Sequence, residues 1–118
     1  MRTWVYNPHV GGVKIRPAVR LRTERRIRAY AQAHYDGKFT RLDIRFRGAL
    51  CYIDAYTEPR QVVPLHLCRL RYFGDEEAWT MAFYTYSHEK YEPCVFGNGT
   101  FQGTPEEAFE IGAIYLKS

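Results

Sequence analysis

Phe39-Thr40-Arg41-Leu42-Asp43-Ile44-Arg45-Phe46-Arg47-Gly48, followed by Cys51-Tyr52-Ile53-Asp54-Ala55-Tyr56, is the stretch on which the fold turns. Thr40, Leu42, Ile44 and Phe46 alternate with Arg41, Asp43, Arg45 and Arg47. That period of two suits a strand with one face in the core and one in water. Gly48 marks a tight connection, after which Cys51, Ile53 and Ala55 alternate with Tyr52, Asp54 and Tyr56. The pair predicts a β-hairpin.

The same period continues toward the C-terminus. Glu58-Pro59-Arg60-Gln61 reads as a turn. Leu65 to Phe73 reads as a third strand, with His66, Cys68, Leu70 and Tyr72 on one side and Leu67, Arg69 and Arg71 on the other. After Gly74-Asp75-Glu76-Glu77, Trp79, Met81 and Phe83 alternate with Thr80, Ala82, Tyr84 and Tyr86 in a fourth strand. Connections this short require antiparallel neighbours, because parallel strands need a long crossover. Beyond His88 the alternation fades. Glu92-Pro93 reads as a strand break, and Val95-Phe96 and Thr100-Phe101 flank Gly97-Asn98-Gly99 as a small hairpin. Thr104-Pro105-Glu106-Glu107 then carries the N-cap, first-position proline and capping box of a helix.

Toward the N-terminus, Trp4 to Tyr6 reads as a short strand. Pro17 opens a helix over Ala18 to Tyr35, and Gly37 supplies its left-handed end. Val19, Thr23, Ile27, Tyr30 and His34 fall on one stripe with Ala31 beside it, which makes His34 an inward-facing, hydrogen-bonded histidine. Arg22 and Arg25 lie opposite, and Arg26 and Arg28 flank the stripe. These elements predict one α+β domain over residues 1–118, an antiparallel meander of about four strands with two helices on one face.

Forty-six per cent of the 118 residues are hydrophobic and 16% aromatic, enough for a core. No stretch approaches the ~20 apolar residues of a membrane span. Met1 to Pro8 lacks the apolar centre of a signal peptide, so a cytoplasmic location is expected and Asn98-Gly99-Thr100 reads as a turn. Cys51, Cys68 and Cys94 are odd in number and widely spaced, which predicts reduced thiols. Nothing has the short paired spacing of a zinc site, and no metal or cofactor is expected. Gly11-Gly12 with Lys14 lacks the spacing of a phosphate loop.

Charge is unevenly distributed. Residues 1–47 hold 12 Lys or Arg against 3 Asp or Glu, a net of +9; residues 48–118 hold 5 against 10, a net of −5; the chain carries +4. Such asymmetry predicts either a basic surface for a polyanion or neutralisation of one half by the other.

Alternation divides the sheet into two faces. Leu42, Ile44, Phe46, Cys51, Ile53, Leu70, Trp79, Met81 and Phe83 belong to the one the helices cover. The other gathers Arg41, Asp43, Arg45, Tyr52, Asp54, Tyr56, Arg69, Arg71, Tyr84, Tyr86 and His88. The leading expectation is a nucleic-acid surface. Arg22, Arg25, Arg26, Arg45, Arg69 and Arg71 would meet phosphates, while Tyr52, Tyr56, Tyr84 and Tyr86 would stack on bases. An alternative is a phosphoesterase or nuclease using Asp54 and His88 as base and acid with an arginine clamp. A third is a protein interface, including a homodimer, since tyrosine and arginine also dominate interface hot spots. Ion pairing and cross-strand packing on a solvated sheet would explain the same composition.

The Phe39–Gly48 and Cys51–Tyr56 blocks resemble small uncharacterised bacterial proteins. So do Cys68-Arg69-Leu70-Arg71-Tyr72, Ser87-His88-Glu89-Lys90-Tyr91 and Thr104-Pro105-Glu106-Glu107-Ala108-Phe109. The resemblance runs over most of the chain from Arg41 onward. It implies a bacterial cytosolic origin and a self-contained domain, and it carries no activity or functional residue with it.

Overall fold

A computed structural model describes residues 11–117; the strand expected at Trp4–Tyr6 lies outside them. The elements run α1 (Pro17–Tyr35), β1 (Arg41–Arg47), β2 (Leu50–Tyr56), β3 (Leu65–Arg71), β4 (Thr80–Thr85), β5 (Lys90–Cys94) and α2 (Pro105–Gly112), closing with a 3₁₀ turn at Ala113–Leu116. The five strands form one antiparallel sheet in sequence order. This is the expected α+β meander with one strand more.

The additional strand, β5, contains the Glu92-Pro93 pair that reads in sequence as a break. Proline lacks the N–H that an interior strand must donate, so it is tolerated at an edge, and among the described residues β5 is an edge strand paired only with β4. The expected small hairpin after it is a hydrogen-bonded turn without strands, closed by Phe96 N–H to the Thr100 carbonyl at 2.7 Å. The β1–β2 turn uses two residues, Gly48 and Ala49, between the paired Arg47 and Leu50. Gly48 has φ +58°, which glycine adopts without a Cβ clash and which suits a type II′ hairpin.

The register departs from the simple alternation in β3. Ile53 pairs with Cys68, but Asp54 pairs with His66, leaving Leu67 as the extra residue of a β-bulge. Leu67 and Cys68 are consecutive and both fully buried. His66 is thereby turned to the side opposite Cys68, beside Asp54, instead of sharing the Cys68 face as the alternation predicts.

α1 buries Val19, Thr23, Ile27, Ala31 and Tyr35. This i, i+4 row is inclined to the helix axis, as ridge packing favours, and His34 lies off it. The expected inward histidine is exposed, its ring 4.3 Å from that of Tyr30. α2 begins with the predicted capping box: Thr104 N–H donates to Glu107 Oε1 at 2.9 Å, and Glu107 N–H donates to Thr104 Oγ1 at 3.2 Å. Phe109 of α2 is fully buried, with its ring edge-on to Tyr30 and Tyr35 of α1. Both phenols donate to Glu110, Tyr30 at 2.6 Å. The Glu110 bond pushes the Tyr30 phenol up to about 12 and holds the Glu110 carboxyl below its usual range. Ile27, Ile53, Leu70, Trp79, Met81 and Phe109 fill the layer between helices and sheet. Each removes apolar surface from water at roughly 25 cal/mol per Å².

Cys51 and Cys68 lie in that core, and burial pushes both thiols up. Among the described residues, no three His, Cys, Asp or Glu side chains converge as metal ligands, and no helix is long and apolar enough to cross a membrane.

Candidate nucleic-acid interface

The sheet face turned away from the helices is set by register. Arg41 pairs with Tyr56, Asp43 with Asp54, Arg45 with Tyr52 and Arg47 with Leu50. Tyr52 pairs onward with Arg69, Asp54 with His66 and Leu50 with Arg71. Ala82 and Tyr84 continue the face into β4, and Tyr91 opposite Tyr84 carries it to β5. Among the described residues, Arg41, Arg45, Arg47, Arg69 and Arg71 stand with Asp43 and Asp54, five cations to two anions for a net of +3.

Several of these arginines are stacked on tyrosines. The Arg41 guanidinium lies 4.1 Å from the Tyr56 ring centroid, Arg45 5.1 Å from Tyr52, and Arg69 5.1 Å from Tyr91. Attraction between a cation and a ring face holds each planar fork roughly in place. Behind them the rings pack edge to face: Tyr84 on Tyr91 at 5.0 Å, Tyr84 on Tyr86 at 4.8 Å and Tyr52 on Tyr91 at 5.8 Å. The small Ala82 side chain between Arg69 and Pro93 leaves room for Tyr91 to reach Tyr52 across the face.

At the centre sits Asp54, only 3% exposed. Arg45 Nη2 donates to its Oδ2 at 2.9 Å, and His66 Nδ1 lies 3.0 Å from its Oδ1. Each oxygen of this buried carboxyl group thus has a partner, as burial of a polar group requires. The His66 ring is flanked by Tyr84 at 4.7 Å and Tyr91 at 6.3 Å, and the His66 backbone N–H donates to the Tyr86 hydroxyl at 2.8 Å. Burial pushes the Tyr91 phenol up, reinforced by the Asp54 charge, and its hydroxyl is buried with no hydrogen-bond partner among the described residues.

The structure divides the residues expected to act together. Arg45, Arg69, Arg71, Tyr52, Tyr56 and Tyr84 share the face turned away from the helices, where Arg71 Nη1 donates to the Gly11 carbonyl at 2.9 Å, with Tyr86 adjoining it in the β4–β5 turn. Arg22, Arg25 and Arg26 lie on α1, which packs on the other side of the sheet, so the helix does not extend this footprint. Arg22 donates to both Glu76 oxygens at 2.8 and 2.9 Å. Arg26 holds Glu77 at 2.6 and 2.9 Å and both oxygens of Glu106 at 2.8 Å. Arg25 is exposed and forms no ion pair among the described residues. Two of the helix arginines, Arg22 and Arg26, are thus neutralised by the acidic half of the chain, and Arg28 by Glu24 of the helix itself.

Asp54 and His88 are not brought together. His88 stands exposed in the β4–β5 turn with Nδ1 2.9 Å from Glu92 Oε1, while the histidine on Asp54 is His66. Strict alternation misplaced His66; the adjacent apolar pair Leu67-Cys68 is the sequence signal of the bulge that re-aims it. Tyr91 was missed because the neighbouring Pro93 marks an edge strand as readily as a break. No family model, curated protein or solved structure matches the chain, so nothing in these comparisons speaks for or against the resemblance to small bacterial proteins.

Proposed function

We propose that this protein binds single-stranded nucleic acid on the open face of its sheet. The observation that carries the reading is the arginine–tyrosine stacking on a face of net +3, with Arg41 over Tyr56 and Arg45 over Tyr52. Guanidinium planes and ring faces both stack on unpaired bases, and guanidinium N–H groups take phosphate oxygens. A duplex keeps its bases inside and offers such a face only its backbone. The α1 arginines, already bonded to Glu76, Glu77 and Glu106, lie outside the proposed surface.

Fluorescence anisotropy with labelled single-stranded RNA, single-stranded DNA and duplex DNA tests this. Three to five phosphate contacts give a salt slope of about −2 to −3.5 on single strands, roughly a 10- to 100-fold loss of affinity between about 50 and 200 mM salt. Single strands are expected to bind more tightly than duplex. No binding at low salt would overturn the reading. A concentration-dependent dimer in sedimentation that protects the same tyrosines would assign the face to a second copy of the chain.

A further inference from the structure

We infer that His66 and Asp54 form a general-base pair that cleaves an RNA strand held on this face, by attack of the strand's own 2′-hydroxyl on the adjacent phosphate. The inference rests on the nucleic-acid reading above and adds to it a substrate class, RNA, and a reaction.

The argument begins with the bulge. Leu67 is the extra residue that turns His66 onto Asp54, and bulges recur beside active sites because a local break in the ladder re-aims a side chain. Asp54 is ion-paired with Arg45, and as a carboxylate it can only accept hydrogen bonds. A neutral His66 must therefore carry its proton on Nδ1, 3.0 Å from Asp54 Oδ1, and keep the Nε2 lone pair as an acceptor. That is the tautomer a general base needs, held in orientation by a buried carboxylate. Tyr84 and Tyr91 brace the ring, and the His66 side chain remains 30% exposed, open to a bound strand. Arg45 uses Nη2 on Asp54 while its side chain is largely exposed, leaving guanidinium N–H groups for the phosphate oxygens on which charge builds.

The step balances within the substrate. Nε2 takes the 2′-hydroxyl proton, the 2′-oxygen bonds to phosphorus, and the bond from phosphorus to the 5′-oxygen breaks. The departing oxygen takes a proton from water, and Nε2 returns its proton to solvent. The products are a 2′,3′-cyclic phosphate end and a 5′-hydroxyl end. DNA and 2′-O-methyl RNA lack the attacking group and would bind without being cut.

The experiment incubates the full chain with labelled single-stranded RNA in a chelator-containing buffer, identifies the ends by mass spectrometry, and measures 2′-O-methyl RNA binding in parallel. Expected are cyclic-phosphate ends, a rate about 10²–10⁴-fold lower in His66→Gln, and partial recovery of cleavage in His66→Gly on adding imidazole. Asp54→Asn should cut at least 10-fold more slowly. If that variant does not fold, His66→Gln, at a half-buried position, carries the test. RNA left intact while 2′-O-methyl RNA binds would overturn the inference and leave the binding reading standing. Cleavage undiminished in His66→Gln would overturn it as well, and absence of binding to either RNA would overturn both.

Discussion

On the outer side of α1, Arg22 and Arg26 bond to Glu76, Glu77 and Glu106, whereas on the open sheet face Arg41 and Arg45 lie over the rings of Tyr56 and Tyr52. The two regions are alike in composition and differ in what surrounds them. Around the helix, the Asp75–Glu77 turn and the first turn of α2 bring carboxylates to the guanidinium groups, and hydrogen bonding to those carboxylates holds Arg26 more firmly protonated than usual. On the sheet, the cross-strand partners of Arg41, Arg45 and Arg69 include tyrosines; Arg41 also pairs with Asp43 at 3.2 Å and Arg45 with Asp54 at 2.9 Å, while Arg47 forms no ion pair among the described residues. Arg22 and Arg26 find their partners far along the chain and Arg28 finds Glu24 one turn away, while a strand arginine takes what its own strand or the register supplies. Arginine content alone therefore says little about which surface remains open to a polyanion.

The contrast breaks most readily at Arg26. Arg26→Ala removes two bidentate pairs and leaves Glu106 partly buried without its cation, so thermal unfolding should show a loss of about 2 kcal/mol. A domain of this size should then melt several degrees lower. Nucleic-acid affinity should stay within about twofold, since the helix lies off the proposed face. An unchanged melting temperature would mean that these pairs are no stronger than ordinary surface ion pairs.

Acid should act on the helix side next. Bonds from Arg22 hold the Glu76 carboxyl below its usual range, and the phenols of Tyr30 and Tyr35 do the same for Glu110. Burial alone would raise Glu106, but its bonds to Arg26 outweigh that and lower it. Folded values below the unfolded ones contribute stability at neutral pH. That contribution is lost as pH falls below the unfolded carboxylate value of about 4.3 and on through the folded values. Denaturant midpoints measured from pH 7 down to pH 3 should fall across this window, and fall less steeply in Arg26→Ala.

The smallest effect belongs to the sheet. Tyr91→Phe deletes a buried hydroxyl that has no hydrogen-bond partner among the described residues, and should leave stability unchanged or raise it by up to about 1 kcal/mol. A clear destabilisation in urea melts would show that this hydroxyl is hydrogen-bonded in solution.

The fold was legible because its signals are local. Pro17 with the apolar stripe after it, alternation over 39–56, the turn at Gly48 and the Thr104–Glu107 capping box each decide a structure from neighbouring residues, and the helices and the first hairpin follow from them. The site was half legible. Alternation put Arg45, Arg69, Tyr52, Tyr56, Tyr84 and Asp54 on one face, because that requires only the period of two. It gave Asp54 the wrong histidine, because one inserted residue at Leu67 reverses every assignment beyond it and β3 was read without a bulge. It also joined the α1 arginines to the sheet face, since the pairing of Arg26 with Glu77 and Glu106 spans 51 and 80 residues and no local pattern marks it.

The central claim is that Arg41, Arg45 and Arg47 of the sheet, and not the arginines of the helix, are the ones that meet a polyanion. Paired salt titrations of single-stranded RNA binding measure this directly, comparing Arg41→Gln/Arg47→Gln with Arg22→Gln/Arg25→Gln. Both double variants remove two positive charges, so a difference between them reports location rather than net charge. Loss of roughly 10-fold in affinity and a slope shallower by about 1 in the sheet variant, with about twofold or less in the helix variant, is the result predicted. Equal losses in the two, or the larger loss in the helix variant, would contradict it.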